Sequence, residues 1–116
     1  MCPLCTLDDP ERVVREGRHW RVKHNRAPYK GLALHVVIFA RTHIASPAEL
    51  SDEAKAEYFD LVLWAQREFN IPGCGIIMRL GDSRYHGGSI PEHLHGHIMV
   101  PDGSVPVEKI FYQERA

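Results

Sequence analysis

His93-Leu94-His95-Gly96-His97-Ile98-Met99-Val100 places histidine at every second position and then continues in apolar residues. Successive side chains of a β-strand point to opposite faces. A strand over residues 93–100 therefore puts His93, His95 and His97 on one face and Leu94, Gly96 and Ile98 on the other. Alternate residues lie about 7 Å apart along a strand, and three imidazoles in such a row are polar groups that an apolar core excludes. A solvent-facing row on an edge strand is the plain alternative. Three histidines in phase, followed by Ile98-Met99-Val100, favour a site that uses them.

The surrounding chain supplies partners for such a strand. Residues 19–24 alternate Trp20 and Val22 with Arg21 and Lys23, a half-buried strand. Pro28 and Gly31 make residues 25–31 a connection. The β-branched run LALHVVIFA, residues 32–40, reads as an inner strand. Ser46-Pro47-Ala48-Glu49 carries a cap, a proline at the first helical position and a glutamate three residues after the cap, so a short helix is expected there. A second start at Ser51-Asp52-Glu53 opens a long helix. Ala54, Tyr58, Leu61, Ala65 and Phe69 recur at helical spacing to about Asn70, where Pro72 and Gly73 stop it. Residues 74–80 form the next expected strand, with Cys74 a small core residue, and residues 81–92 a glycine-rich loop. After the turn Pro101-Asp102-Gly103, residues 109–113 are expected as a final strand. Strands, one long and one short helix, then strands describe an α+β fold with an antiparallel sheet.

The chain has 116 residues, 44% hydrophobic and 25% charged, which suits one globular domain over residues 1–116 and excludes disorder. Fourteen Lys+Arg against 15 Asp+Glu give a net charge of −1. No concentrated basic face points to nucleic acid, and no apolar run is long enough to span a membrane. Residues 1–10 lack the basic and apolar blocks of a signal peptide, so a cytoplasmic location is expected. Three cysteines form no disulfide framework. Cys2-Pro3-Leu4-Cys5 is a Cys-x-x-Cys, half of a tetrahedral zinc site. A redox pair would follow a strand and open a helix, which a pair beginning at residue 2 does not do; two unligated thiols remain the other alternative.

The stretch from His93 to Met99 resembles the signature of the histidine-triad (HIT) family, His-x-His-x-His followed by apolar residues. Asn25-Arg26-Ala27-Pro28, the strand beginning at His35, and Arg41-Thr42-His43-Ile44 through Leu50 resemble the N-terminal half of the same domain. The likeness covers most of residues 19–101. It implies a HIT-like fold and a nucleotidyl hydrolase or transferase acting at an α-phosphate of a purine nucleotide. By position His95 is then the nucleophile that forms a covalent nucleotidyl-imidazole, and His97 bonds a phosphate oxygen or protonates the leaving group; both roles suit a neutral imidazole. Asn25 is expected to bind the nucleotide, with a turn role as its alternative, and His35 to line the pocket. Gly87-Gly88-Ser89 reads as a phosphate cradle, Gly88 by its backbone and Ser89 by its hydroxyl.

Gly-Gly-Ser, three residues, then His-Leu-His resembles the branch that cleaves diadenosine tetraphosphate with phosphate. Ser89 stands where the commoner pattern has glutamine, the stretch Arg79-Leu80-Gly81-Asp82 where the phosphorylase branch has an asparagine, and Ala33-Leu34 where the family has Pro-Gly. Arg79 and Arg84 are candidates for phosphate contact or for solvated surface, and His19, His24 and His86 are read as surface residues. Family members with a Cys-x-x-Cys near the start imply a structural zinc held by Cys2, Cys5, His43 and the first triad histidine, His93. On this reading residues 1–18 are a zinc-binding segment and residues 102–116 a C-terminal tail. The resemblance also implies a homodimer packed through the long helix and adjoining strand, consistent with apolar residues such as Trp64 and Phe111 in need of cover. Two other classes compete. A cupin-like metal centre would use all three histidines as ligands, but it needs a glutamate after the triad and the sequence continues Ile98-Met99-Val100-Pro101. A non-catalytic nucleotide-binding module shares every feature of the leading reading.

Overall fold

In the computed structural model, residues 2–90, 92–108 and 110–111 are described. The element order is α1 (Pro3–Thr6), a 3-10 turn (Pro10–Arg12), β1 (Val13–Glu16), β2 (Trp20–His24), β3 (Leu32–Ala40), a 3-10 turn (Pro47–Glu49), α2 (Asp52–Glu68), β4 (Gly75–Arg79) and β5 (His95–Pro101). The strands form one antiparallel sheet in the order β1-β2-β3-β5-β4. The α+β class with one long helix is as the hydrophobic periodicity predicts.

Register and pleat divide the sheet into two working faces. Val36 opposes Ile98 and Ile38 opposes Gly96, while Val37 opposes His97 and Phe39 opposes His95. The first set, with Trp20, Val22 and Leu94, packs against Tyr58, Leu61 and Ala65 of α2 as the main core. Trp20 Nε1 donates to the Ala54 carbonyl at 2.7 Å and fixes the helix on the sheet. Gly96 lets the helix come close: a Cβ there would lie 2.1 Å from the Tyr58 hydroxyl oxygen. The second set faces away from α2. It carries the histidines, and Leu4 of α1 packs there on Val37 and Phe39.

Several expectations shift. The triad strand starts at His95, two residues late, although Leu94 still bonds the end of β3 (Ala40 N–H to its carbonyl, 3.1 Å) and His93 keeps to the Phe39 side. The short helix at residues 46–49 is a 3-10 turn. Its Ser46–Glu49 capping box forms, but Leu50 returns to extended backbone and Ser51, whose side chain accepts from Ala54 N–H at 3.1 Å, starts α2. Cys74 is exposed and not a core residue, because β4 is an edge strand that begins after it. α1 and β1 lie within the segment read only as a zinc-binding tail; each has four residues, too few to show a period. Of the final strand expected at 109–113, Lys109, Tyr112 and Gln113 lie outside the described residues, and Ile110 and Phe111 are not in a strand. Among the described residues no helix is long and apolar enough to cross a membrane.

Candidate functional site

The face opposite α2 holds two adjoining clusters. In the first, α1 places Cys2 and Cys5 one turn apart, with Cys5 N–H bonded to the Cys2 carbonyl at 3.1 Å. His43 comes from the chain leaving β3 and His93 from the chain entering β5. His93 Nδ1 lies 3.3 Å from Cys2 Sγ, 3.3 Å from Cys5 Sγ and 3.2 Å from His43 Nδ1, and Cys5 Sγ lies 3.1 Å from His43 Nδ1. All four donor atoms fall within 4.8 Å of one another. With Zn–N near 2.1 Å and Zn–S near 2.3 Å, the edges of a tetrahedron are about 3.4–3.8 Å, so the donors stand within a few tenths of an ångström of the spacing zinc requires. His93 Nε2 lies 2.6 Å from the Ala40 carbonyl, which only accepts. The proton is therefore on Nε2 and the lone pair on Nδ1, aimed at the sulfurs. Desolvation, then the neighbouring Cys2, raise the Cys5 thiol above its ordinary pKa, a shift that a bound cation reverses. The residues expected from the sequence as zinc ligands thus come together as a fitting donor set.

The second cluster lines a cavity of about 310 Å³ that includes Lys23, Asn25, Arg79, Ser89, His95 and His97. Pro3 and Leu4 form part of its wall, so the cysteine segment borders both clusters. His95 is 2% exposed and its Nδ1 lies 2.6 Å from the His93 carbonyl, which holds the proton there and leaves a lone pair on Nε2. His97 Nδ1 lies 2.7 Å from His35 Nε2, and Arg79 Nε–H points at His97 Nε2 from 3.2 Å. Burial above all, with the Arg79 charge nearby, pushes His35 and His95 down to about 4. Burial, then His95, His35 and Arg79, push His97 to about 2. All three rings are neutral near pH 7.

His93 and His35 lie outside the cavity lining. His93 belongs to the cysteine cluster, and His35 stands behind His97, with Asn25 Nδ2 3.3 Å from its Nδ1. Asn25 also donates to the Ala27 carbonyl at 3.0 Å, so it holds the turn as well as the pocket edge. Gly88 and Ser89 both line the cavity, Ser89 exposed. A Cβ on Gly88 would meet Arg79 Cδ at 2.5 Å, which is why the loop needs glycine where the arginine passes.

Sequence reasoning left Arg79 open between phosphate contact and surface, and misread His86. Arg79 is 2% exposed, against the surface alternative, and Arg84 alone is the solvated one, paired with Asp82. Its signal was phase: in β4, Ile77 and Arg79 point to the histidine face, and a cation in the inward phase of a strand marks a site. His86, read as surface, is buried with its ring 6.4 Å from that of His95, and its Nδ1 accepts from Gly88 N–H at 3.0 Å. A lone histidine in a loop carries no periodic signal, so only the folded loop reveals it. His19 and His24 are half-buried, the first beside Glu53 at 3.4 Å and the second against Phe69.

No family model matches the chain, and no curated protein does. Solved structures do. A histidine triad protein from Clostridium difficile is 18% identical, with 90% of this chain and 93% of that one covered at a TM-score of 0.67. A histidine triad nucleotide-binding protein from Candida albicans is 16% identical, covering 100% and 86% at 0.70. A Zn-bound histidine triad family protein from Mycobacterium smegmatis is 18% identical, covering 99% and 84% at 0.64. With its sheet, its one long helix and its histidine-bearing strand β5, this chain has the histidine-triad fold.

Proposed function

We propose that the chain is a nucleotidyl hydrolase or transferase that cleaves at the α-phosphate of nucleoside phosphoramidates or dinucleoside polyphosphates. The observation that carries this reading is the 2.6 Å contact between His95 Nδ1 and the His93 carbonyl, made by a ring that lines the cavity. It fixes the tautomer whose Nε2 can attack phosphorus. In the first step Nε2 bonds to the α-phosphorus, the bond from phosphorus to the leaving nitrogen or oxygen breaks, and the leaving group departs with a proton. In the second, water or phosphate attacks the same phosphorus, the P–N bond breaks, and its electron pair returns to Nε2. Burial keeps His95 unprotonated for the attack. His93 contributes through its carbonyl. His97 bonds a phosphate oxygen beside it. Asn25 borders the nucleotide, His35 acts from behind His97 by holding its ring, and Gly88 and Ser89 approach the phosphates; the Candida albicans relative, described as nucleotide-binding, supports a nucleotide as substrate.

Cys2, Cys5, His43 and His93 are the residues that would hold a structural zinc, a reading supported by their donor geometry and by the zinc-bound relative from Mycobacterium smegmatis. Bound there, zinc ties the start of the chain to the catalytic strand. A homodimer through α2 and β4 is supported by the exposed Phe59, Ile76 and Leu80 along that side. Incubation with adenosine 5′-phosphoramidate and with diadenosine tetraphosphate, each with and without inorganic phosphate, tests the reading. AMP release from either supports it, ADP formed only with phosphate marks a phosphorylase, and binding without turnover by an intact protein reduces the site to a nucleotide-binding module.

A further inference from the structure

Arg79 is buried to 2% exposure, and among the described residues no carboxylate forms an ion pair with it. Its N–H groups face only uncharged atoms: the His86 carbonyl at 2.9 Å, the Tyr29 hydroxyl at 3.0 Å, the Ile110 carbonyl, and His97 Nε2 at 3.2 Å. The other buried cation of the cavity is treated differently, for Lys23 Nζ meets both carboxylate oxygens of Asp9 at 2.8 and 3.0 Å. A buried charge without a counter-charge is costly, so the cavity is built to receive an anion on the Arg79 side.

The protons of the neighbouring histidines point the same way. Tyr29 N–H donates to His35 Nδ1 at 3.3 Å. The neutral His35 then carries its proton on Nε2 and gives it to His97 Nδ1 at 2.7 Å. His97 in turn carries its proton on Nε2, where Arg79 Nε–H faces it at 3.2 Å. Two donors oppose each other. Reversing both tautomers only moves the mismatch to the Tyr29 end, because two neutral imidazoles own two N–H groups for three links whose outer partners are both fixed donors. An oxygen that accepts from Arg79 Nε–H and His97 Nε2–H together removes the mismatch and neutralises the charge. A phosphoryl oxygen does both.

The position of this pair gives the oxygen a place in the reaction. Arg79 opposes His95 across the β4–β5 register, and the rings of His95 and His97 are 5.1 Å apart. An anion held there sits beside the phosphorus that His95 attacks. We propose that Arg79 and His97 form an anion subsite for a phosphoryl group on the leaving side, so that the chain selects dinucleoside polyphosphates over phosphoramidates whose leaving group is an amine. This rests on the nucleotidyl-transfer reading of the cavity and names the substrate class within it.

Calorimetric titration with inorganic pyrophosphate, and kcat/KM on diadenosine tetraphosphate and on adenosine 5′-phosphoramidate, test it in the wild type, Arg79→Met and Arg79→Lys. The wild type should bind pyrophosphate, and Arg79→Met should weaken binding at least about tenfold. The same variant should lose about 100-fold or more on the tetraphosphate and at least about tenfold less than that on the phosphoramidate, where only its contact with His97 is lost. Arg79→Lys, which keeps the charge without the Nε–H, should fall between wild type and Arg79→Met on the tetraphosphate. Equal losses on both substrates would make Arg79 a prop for His97 and overturn the proposal, as would a wild type that does not bind pyrophosphate. If Arg79→Met does not fold, the decision passes to Arg79→Lys and to the wild-type melting temperature in pyrophosphate against chloride at equal ionic strength; no rise in that comparison overturns the subsite. Failure of the wild type to turn over either substrate defeats the nucleotidyl-transfer reading, while pyrophosphate titration still decides the anion site.

Discussion

His93 and His95 stand two residues apart on one side of the sheet, yet their replacement should have opposite consequences for metal and for chemistry. His93 Nδ1 makes three of the four contacts measured among the donor atoms, and His93→Ala removes the centre of the cluster. It also leaves the buried Ala40 carbonyl without the donor now 2.6 Å away, which costs about 1–3 kcal/mol. Loss of the metal frees α1, whose Leu4 is 2% exposed against Val37 and Phe39; exposing a leucine costs roughly 1.5–3 kcal/mol. Together these give about 2.5–6 kcal/mol, and at roughly 4 °C per kcal/mol for a domain of this size the melting temperature should fall by about 10–24 °C. His95→Ala leaves every donor atom in place. It should abolish turnover, for no neighbouring ring offers a free Nε2 held by a carbonyl, while zinc stays near one per chain. Metal analysis, scanning calorimetry and nucleotide turnover on both variants read the difference, and chelation of the wild type should reproduce only the share of the thermal loss that comes from α1, because the Ala40 carbonyl keeps its donor. A His95→Ala protein without zinc, or a His93→Ala protein that keeps it, would refute this division of roles.

The Tyr58 hydroxyl is buried and has no hydrogen-bond partner among the described residues, and burial raises its pKa to about 12; Tyr58→Phe should therefore be neutral or stabilising by up to about 1 kcal/mol in urea unfolding. Gly96→Ala should cost about 1–3 kcal/mol through overpacking against that oxygen, 2.1 Å from the new Cβ, and clearly less in the Tyr58→Phe background, where strict additivity would refute the contact. Ser89→Ala should lower turnover about tenfold, some 1.4 kcal/mol, with the melting temperature unchanged because the residue is exposed; unaltered kinetics would make the loop a connector. Stability should rise with pH through the acid range. The folded pKa values of His35 and His97, about 4 and about 2, lie below the usual 6.5, so between pH 6.5 and 4 the unfolded chain binds protons that the folded one refuses. Their joint contribution is complete above pH 6.5 and is lost as pH falls, at up to about 2.7 kcal/mol per unit. Urea titrations in excess chelator, which remove the parallel effect of ligand protonation on zinc, should show this slope in the wild type and a shallower one in His35→Gln.

Periodic and local features were legible in the chain alone. The alternation of His95 and His97 with Gly96 and Ile98 survives as the two faces of β5, because side-chain direction in a strand depends only on the pleat. The 17 residues of α2 follow from their apolar spacing and from the Ser51 cap, which is satisfied within one turn. The cysteine pair and its two histidines were likewise legible from resemblance, and the fold brings the four donor atoms together. Tertiary structure decided everything that required knowing what lies across a gap. β1 forms only because β2 is there to pair with VVRE, which has no pattern of its own. Cys74 is exposed because β4 is an edge, and strand order is a property of the whole sheet. Arg79 carried only the phase of β4 and His86 no signal at all, until the loop set the His86 carbonyl on Arg79 and its ring beside His95. Burial then removed the water that otherwise solvates a guanidinium, and left its charge to the cavity.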